Sequence, residues 1–241
     1  METLDALFDG RIRLFQSRAG YRFSLDALLL AYFTVIRDGD SIVDLGTGNG
    51  VIPLVLAHRC PSAKLVGIEL QASMVERARR NVRLNQLDAR IKIICGDVRS
   101  RKDFPEAGSA DVVVCNPPYR KSGSGRINVV DEKRIARHES SGALGEFLGA
   151  AAFLLGNKGR LALVYTAARC ADLFFAMRQA RLEPKRLRLV HSFPDAEASL
   201  VLVEGIKDGR PGLKVERPLT VYRQGKEYSA EVAAMIAGEG R

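Results

Sequence analysis

Asn116-Pro117-Pro118-Tyr119 closes a strongly apolar run, Val112 to Cys115, in the stretch ADVVVCNPPYRKSG. Proline has no backbone N–H and fixes its own φ, and it pushes the preceding residue towards an extended conformation. The apolar, mostly β-branched run reads as a buried strand. That strand must stop near Asn116, and the prolines after it make a stiff segment with carbonyls that no neighbouring strand engages. The segment is then either a rigid strand exit or a rim of hydrogen-bond acceptors around a substrate.

A second group lies upstream. In VDLGTGNG, residues 43–50, Gly46, Gly48 and Gly50 allow a tight turn and a close approach to a ligand. The spacing departs from the dinucleotide fingerprint, whose third glycine comes one residue later, and this disfavours a dehydrogenase. Asp44, just before the loop, would repel a pyrophosphate and suit a cationic or amino-bearing ligand. Glu69 ends the next apolar segment, KLVGIE, where it can take a ribose diol. Asp97 comes after IKIIC and can accept from an adenine amino group, with the Val98 N–H free to donate back. Taken singly, these residues could be a turn cap, a solvent-facing strand end and a turn former. Taken together, at successive strand–loop junctions, they fit one nucleoside ligand with a charged or amino acid tail.

The elements that must position these groups are read from periodicity. Strands are expected at RIRLFQ, SIVDL, KLVGIE, IKIIC, DVVVC, GRLALVY, KRLRLVH and ASLVLVEG. Helices are expected at LDALLLAYFTVI, capped by Ser24, then at VIPLVLAHR, QASMVERARRNVRLNQL and GEFLGAAAFLL. A further helix, AARCADLFFAMRQARL, should be stopped by Glu183-Pro184. The last two strands, separated only by SFPDAE, should pair as an antiparallel hairpin. The alternation predicts an α/β fold: a doubly wound, mostly parallel seven-stranded sheet with a terminal antiparallel hairpin. Ligands of such sheets bind beyond the carboxyl ends of the strands, where Asp44, Glu69, Asp97 and Asn116 all fall. The expected division is a lead-in at 1–23 over the site, a central domain at 24–206 and a short basic extension at 207–241. Residues 120–145 form a long connection of the kind that serves as a binding loop.

Bulk composition narrows the class. The chain has 241 residues, 46% of them hydrophobic and 27% charged, which suits a globular domain with a substantial core. Cys60, Cys95, Cys115 and Cys170 are too widely spaced for a metal knuckle, there are only three histidines, and no metal is expected. Free thiols and the lack of a long apolar leader point to a cytoplasmic protein with no membrane partner. The formal net charge of +9 is compatible with a nucleic-acid partner. Arg120, Lys121, Arg126, Lys133, Arg134 and Arg137 cluster after the proline motif. Lys185, Arg186 and Arg188 form a second set, and Arg210, Lys214, Arg217, Arg223 and Lys226 a third. Each set is either a phosphate-binding face or a solvated surface.

In order, VDLGTGNG, GIEL, GDV and NPPY resemble the successive motifs of the class I methyltransferases that use S-adenosylmethionine. The resemblance covers about residues 20–205. NPPY resembles the mark of members that methylate a planar amine: adenine N6, guanine N2, cytosine N4 or a glutamine amide. GYRFSLDALLLA and the basic tail are similar to the bacterial tRNA1(Val) adenine-37 N6-methyltransferases. The implied cofactor set is Phe23, Asp26, Asp44, Gly46, Gly48, Asn49, Gly50, Glu69, Leu70, Asp97, Val98 and Asn116. The implied catalytic set is Asn116, Pro117 and Tyr119, with the Asn116 oxygen and Pro117 carbonyl accepting from the amine and Tyr119 stacking on the base. Pro118, Tyr119, Arg120, Lys121, Arg126, Lys133 and Arg134 are the expected tRNA contacts. Rival readings are a protein-glutamine N5-methyltransferase, a ribosomal RNA guanine N2-methyltransferase and a non-catalytic RNA-binding module. Oligomeric state is not legible at this level.

Overall fold

Continuous apolar runs of four to six residues, too short for helices, become strands buried on both faces. In a computed structural model that describes residues 2–17, 25–117 and 144–239, β1 (Glu2–Leu7) and β2 (Ile12–Ser17) form an antiparallel hairpin. Next come α1 (Leu25–Phe33), β3 (Ser41–Leu45), α2 (Val51–Arg59), β4 (Lys64–Glu69), α3 (Ala72–Leu84), β5 (Ile91–Cys95) and β6 (Ala110–Cys115). Beyond them lie α4 (144–154), β7 (Leu155–Thr166), α5 (Cys170–Gln179), β8 (Leu182–His191) and β9 (Ala198–Lys207). The C-terminal segment adds β10 (Lys214–Val215), β11 (Leu219–Thr220), the small hairpin β12 (Tyr222–Gln224) with β13 (Glu227–Tyr228), and α6 (Ala230–Ala237).

The main sheet runs β10-β8-β9-β7-β6-β3-β4-β5, with β11 also pairing to β8. It is parallel except at β9, which runs antiparallel to both β7 and β8. The expected seven strands and terminal hairpin are present, but the sheet has nine strands. The two additional ones come from the C-terminal extension, which lies along β8 and is part of the sheet. The first strand of the series, β3, sits between β4 and β6, so the chain order reverses there. This is the switch point at which doubly wound sheets open a crevice. One apolar layer holds α1, α2 and residues of the N-terminal hairpin. The other holds α4 and α5.

Several boundaries differ from expectation: α1 ends at Phe33 and not Ile36, α3 ends at Leu84 and not Leu87, and α5 begins at Cys170 after a short 3-10 turn. The helix α5 stops at Gln179, not at Glu183-Pro184, and Arg181 takes a left-handed φ of 59°. Leu182, Glu183 and Pro184 then open β8, with Pro184 opposite Gly205 of β9. On its other side β8 is paired by β10 only at Arg186 and Leu187, so the missing proline N–H is not needed in a ladder.

At the amino edge of the sheet, Arg160 of β7 and Asp40 before β3 form a buried ion pair at 2.6 Å. Asp40 also accepts from the Arg37 backbone N–H. Removing only the cation strands a buried carboxylate. Arg160→Met should therefore lower unfolding free energy by about 3–5 kcal/mol in urea titration. Adding Asp40→Asn to that variant should recover part of the loss.

Candidate active site

The register of the central strands assembles the site. Leu45 lies opposite both Ile68 and Cys115, and Glu69 lies opposite Cys95. The glycine loop, Glu69 and Asn116 therefore leave neighbouring strands at one edge, at a strand spacing of about 4.8 Å. The loop folds back on β4: the Gly46 and Thr47 N–H groups both donate to the Ile68 carbonyl, at 2.8 and 3.0 Å. Gly46 has a φ of 73°, and a Cβ there would stand 3.2 Å from the Phe147 ring. Beneath the loop, a Cβ on Gly67 would meet the Thr47 side chain at 2.8 Å. Glycine at 67 is what lets Thr47 lie over β4.

Glu69 is buried, and its two oxygens accept from the Gly48 N–H at 3.0 Å and the Gln71 N–H at 2.9 Å. Each oxygen keeps a second lone pair for a ligand hydroxyl. Asp44 is 1% exposed, and neither of its oxygens has a partner. Burial pushes its carboxyl up to about 7; the nearby Thr47 hydroxyl opposes this without reaching hydrogen-bond geometry, and the Glu69 charge adds to it. The Thr47 hydroxyl and both side-chain atoms of Asn49 are likewise buried and unpartnered. Buried polar groups are ordinarily satisfied, so a concentration of exceptions in one loop calls for a specific cause. Hydrogen-bond acceptors, a carboxylate and an amide around a glycine turn fit an amino-bearing nucleoside.

The other expected residues are placed around this loop with varying agreement. Asp97 stands at the same edge, but Arg99 holds its carboxylate through its backbone N–H and its guanidinium, with contacts of 2.5–3.0 Å. That pairing keeps its carboxyl below the usual range, and an adenine amino group would have to share it. Val98 is half-buried and Leu70 is 58% exposed beside Glu69. Gly50 caps α2 in a left-handed conformation. Asn116 is half-buried at the end of β6, followed by the buried Pro117. Asp26 lies in the first turn of α1. Phe23, Pro118, Tyr119, Arg120, Lys121, Arg126, Lys133, Arg134 and Arg137 lie outside the described residues, as does Ser24.

The second basic set is largely occupied within the chain. Arg186 pairs with Glu204 and Glu216, Arg188 holds Glu231 with two bonds of 2.6 Å, and Lys185 donates to the Arg210 carbonyl. Sequence reading missed two residues of the site region, Thr47 and Asn81. Thr47 sits inside the glycine motif and carried no separate signal. Asn81 lies on the apolar side of α3 with Met74, Ala78 and Val82, where a polar residue marks a specific partner.

Residues 25–173 match the model of the methyltransferase small domain family. A tRNA1(Val) (adenine(37)-N6)-methyltransferase of Porphyromonas gingivalis is 33% identical over 80% of this chain and 78% of its own length. The enzyme of that name from Tolumonas auensis is 28% identical over 91% of this chain and 90% of its own. Among solved structures, a predicted O-methyltransferase of Agrobacterium tumefaciens superposes with a TM-score of 0.73 at 24% identity, over 89% of this chain and 97% of that one.

The Asp44 environment makes a stability prediction. Its folded value of about 7 lies above the ordinary value of 3.8. The folded state therefore binds the extra proton between these values, and its stability falls as pH rises from about 4 to 7 before levelling off. About three units at 1.36 kcal/mol each make this effect on the order of 4 kcal/mol. Asp44→Asn should flatten that part of the pH–stability curve and stabilise the ligand-free protein at pH 8, as read by denaturant titration.

Proposed function

This chain belongs to the methyltransferase small domain family, and from that premise we propose that it transfers a methyl group from S-adenosylmethionine to the exocyclic N6 of an adenine in tRNA, at position 37 of tRNA1(Val). The observation that carries the reading is the set of buried, unpartnered polar groups at Asp44, Thr47 and Asn49, one strand away from Asn116-Pro117. The substrate comes from the activity named for relatives that match most of the chain.

Bound at the glycine loop, S-adenosylmethionine supplies a methyl group already activated by its sulfonium. Glu69 accepts from the ribose hydroxyls, Asp97 and the Val98 N–H engage the adenine, and ionised Asp44 faces the amino group. Asp44 thereby gives up its proton on binding, so affinity should rise with pH up to about 7, its ligand-free value. The acceptor nitrogen has its lone pair delocalised into the ring and is a poor nucleophile. The Asn116 side-chain oxygen and the Pro117 carbonyl accept its two N–H bonds, orient it and stabilise the positive charge it gains. With S-adenosylmethionine bound, the nitrogen would gain the methyl group that the sulfonium releases, and the surplus proton would leave the nitrogen to solvent. Tyr119 stacks on the extruded base, and Arg120, Lys121 and Arg126 meet the flanking phosphates.

Asn116→Ala should lower turnover by roughly 10²-fold or more while cofactor affinity stays within about twofold, because this side chain faces the acceptor. Tyr119→Ala should weaken RNA binding by about 1–3 kcal/mol, and Tyr119→Phe should keep most activity. The assay is labelled methyl transfer into undermodified tRNA, followed by nucleoside identification. Label in N6-methyladenosine beside the anticodon supports the proposal. Label only in a protein glutamine, with RNA unlabelled, overturns it.

A further inference from the structure

The side chain of Asn81 joins two parts of the molecule that the sequence keeps far apart. On α3 it is fully buried. Its Oδ1 accepts from the Phe15 N–H at 2.7 Å, and its Nδ2 donates to the Phe15 carbonyl at 3.2 Å. A single amide thus pairs with both backbone groups of Phe15 as a neighbouring strand would. The same Nδ2 donates to the Asn49 carbonyl inside the glycine loop at 2.9 Å. Both amide protons are thereby used.

The hairpin has other attachments to α3, and none of those reaches the loop. Asn85, one helical turn on, repeats the pairing with Arg13, at 3.0 Å from its N–H and 2.7 Å to its carbonyl. Its remaining bond goes to the Asn81 carbonyl. Glu2 binds Arg77 at 2.8 Å and Arg80 at 2.7 Å, both also on α3. Asn81 alone among these residues contacts both sides. The next residue of the loop, Gly50, lies against Ala78 of the same helix, where a Cβ would come within 3.3 Å. The orientation of the Asn49 peptide is thus set from α3, and the unpartnered Asn49 side chain hangs from that peptide.

We propose that Asn81 is a positioning residue that couples the N-terminal hairpin to the cofactor loop, so that cofactor affinity depends on the docked hairpin. When the hairpin is docked, Phe15 fixes the plane of the Asn81 amide, and that plane aims one proton at Asn49. When the hairpin loosens, a buried amide loses two partners and must turn to find others. The loop then loses a fixed hydrogen bond at Asn49, inside the turn that runs from Thr47 to Gly50. The inference rests on the cofactor reading proposed for the glycine loop.

The test is calorimetric titration of the full chain with S-adenosylmethionine. Asn81→Ala should weaken binding about tenfold and raise KM for the cofactor, with kcat at saturating cofactor unchanged. Asn85→Ala removes the same kind of hairpin pairing and should cost comparable thermal stability; it reaches the loop only through Asn81, so it should weaken binding less than Asn81→Ala does and add no further loss in the Asn81→Ala background. Glu2→Ala should lower amide protection at Phe15 in hydrogen exchange and weaken binding severalfold, but add no further loss in the Asn81→Ala background. Affinity losses for Asn81→Ala and Asn85→Ala that add in the double variant would mark a general effect of hairpin packing and overturn the coupling. If Asn81→Ala does not fold, the Glu2→Ala arm decides: lowered protection with unchanged affinity also overturns it. Unchanged affinity in a folded Asn81→Ala, with the natural chain binding normally, defeats this inference alone. Failure of the natural chain to bind defeats the cofactor reading and this inference with it.

Discussion

The parallel pairing of β3 with β6 sets Leu45 opposite Cys115, and this register brings the first residue of the glycine loop beside Asn116. β6 cannot specify that register by itself. Its Val112, Val113 and Val114 are all fully buried, on alternating faces, so a slip by one residue would still bury apolar side chains on both sides. The polar ends of the strands decide. At the amino end the Asp111 carboxylate accepts the Ser41 N–H at 2.9 Å. At the carboxyl end the loop N–H groups of Gly46 and Thr47 converge on the Ile68 carbonyl. Between these ends, Gly67 is the position on β4 that leaves room for Thr47. A site made from three strands thus draws its alignment from a few polar contacts, while the apolar interior supplies most of the burial and little of the alignment.

The same edge carries the densest group of uncompensated polar atoms among the described residues, five of nine. Asp44, Thr47 and Asn49 are buried without partners, and each such group opposes folding by about 1–3 kcal/mol, with more for a charge. Asp44 relieves part of the cost by holding its proton near neutral pH, which the raised carboxyl value expresses. A ligand that presents an ammonium group and hydrogen-bond donors converts the same groups from a cost into a contact. Affinity for such a ligand and ligand-free stability would therefore pull in opposite directions at Asp44, as they do wherever a site is organised in advance of its ligand.

Most of the architecture was legible because it depends on patterns that a chain displays locally. Buried runs such as VDL and VVVC bounded by glycine or proline, and amphipathic helices such as α3, announce themselves by length and period. What escaped depends on partners distant in sequence. Pro184 reads locally as a helix stop, and its place in β8 depends on the short reach of β10 along that strand. The strands β10 and β11 are two residues each and gain their identity from the edge of β8. Asn81 and Asn85 lie four residues apart, on α3 and at its C-cap. Their function as substitutes for a strand partner requires the hairpin to be in place. For the site, glycines and strand-end carboxylates were visible from spacing, whereas the Arg99 grip on Asp97 was not, since two residues of opposite charge two positions apart usually face solvent.

Charge gives the last step, because a count of basic residues is not a map of binding surface. The +9 balance of the sequence invites an RNA face at every arginine cluster. In the fold, however, Arg77 and Arg80 secure the hairpin through Glu2, Arg160 neutralises Asp40, and Arg186 and Arg188 bind three carboxylates from β9 and the C-terminal segment. Arginine serves these sites because its planar guanidinium can meet two acceptors at once. Such a guanidinium is already committed to holding two elements together, and a phosphate would have to share it with the carboxylate. A polyanion would be drawn to cations whose release costs the fold nothing. The Arg186 pairs with Glu204 and Glu216 fail that criterion: they hold β8 to β9 and to the C-terminal segment. The basic run follows Asn116-Pro117 directly in sequence, and Asn116 and Pro117 lie at the carboxyl edge. Closeness in sequence to the proposed acceptor-binding residues, more than the number of positive charges, is thus the ground on which that run is proposed as the RNA contact.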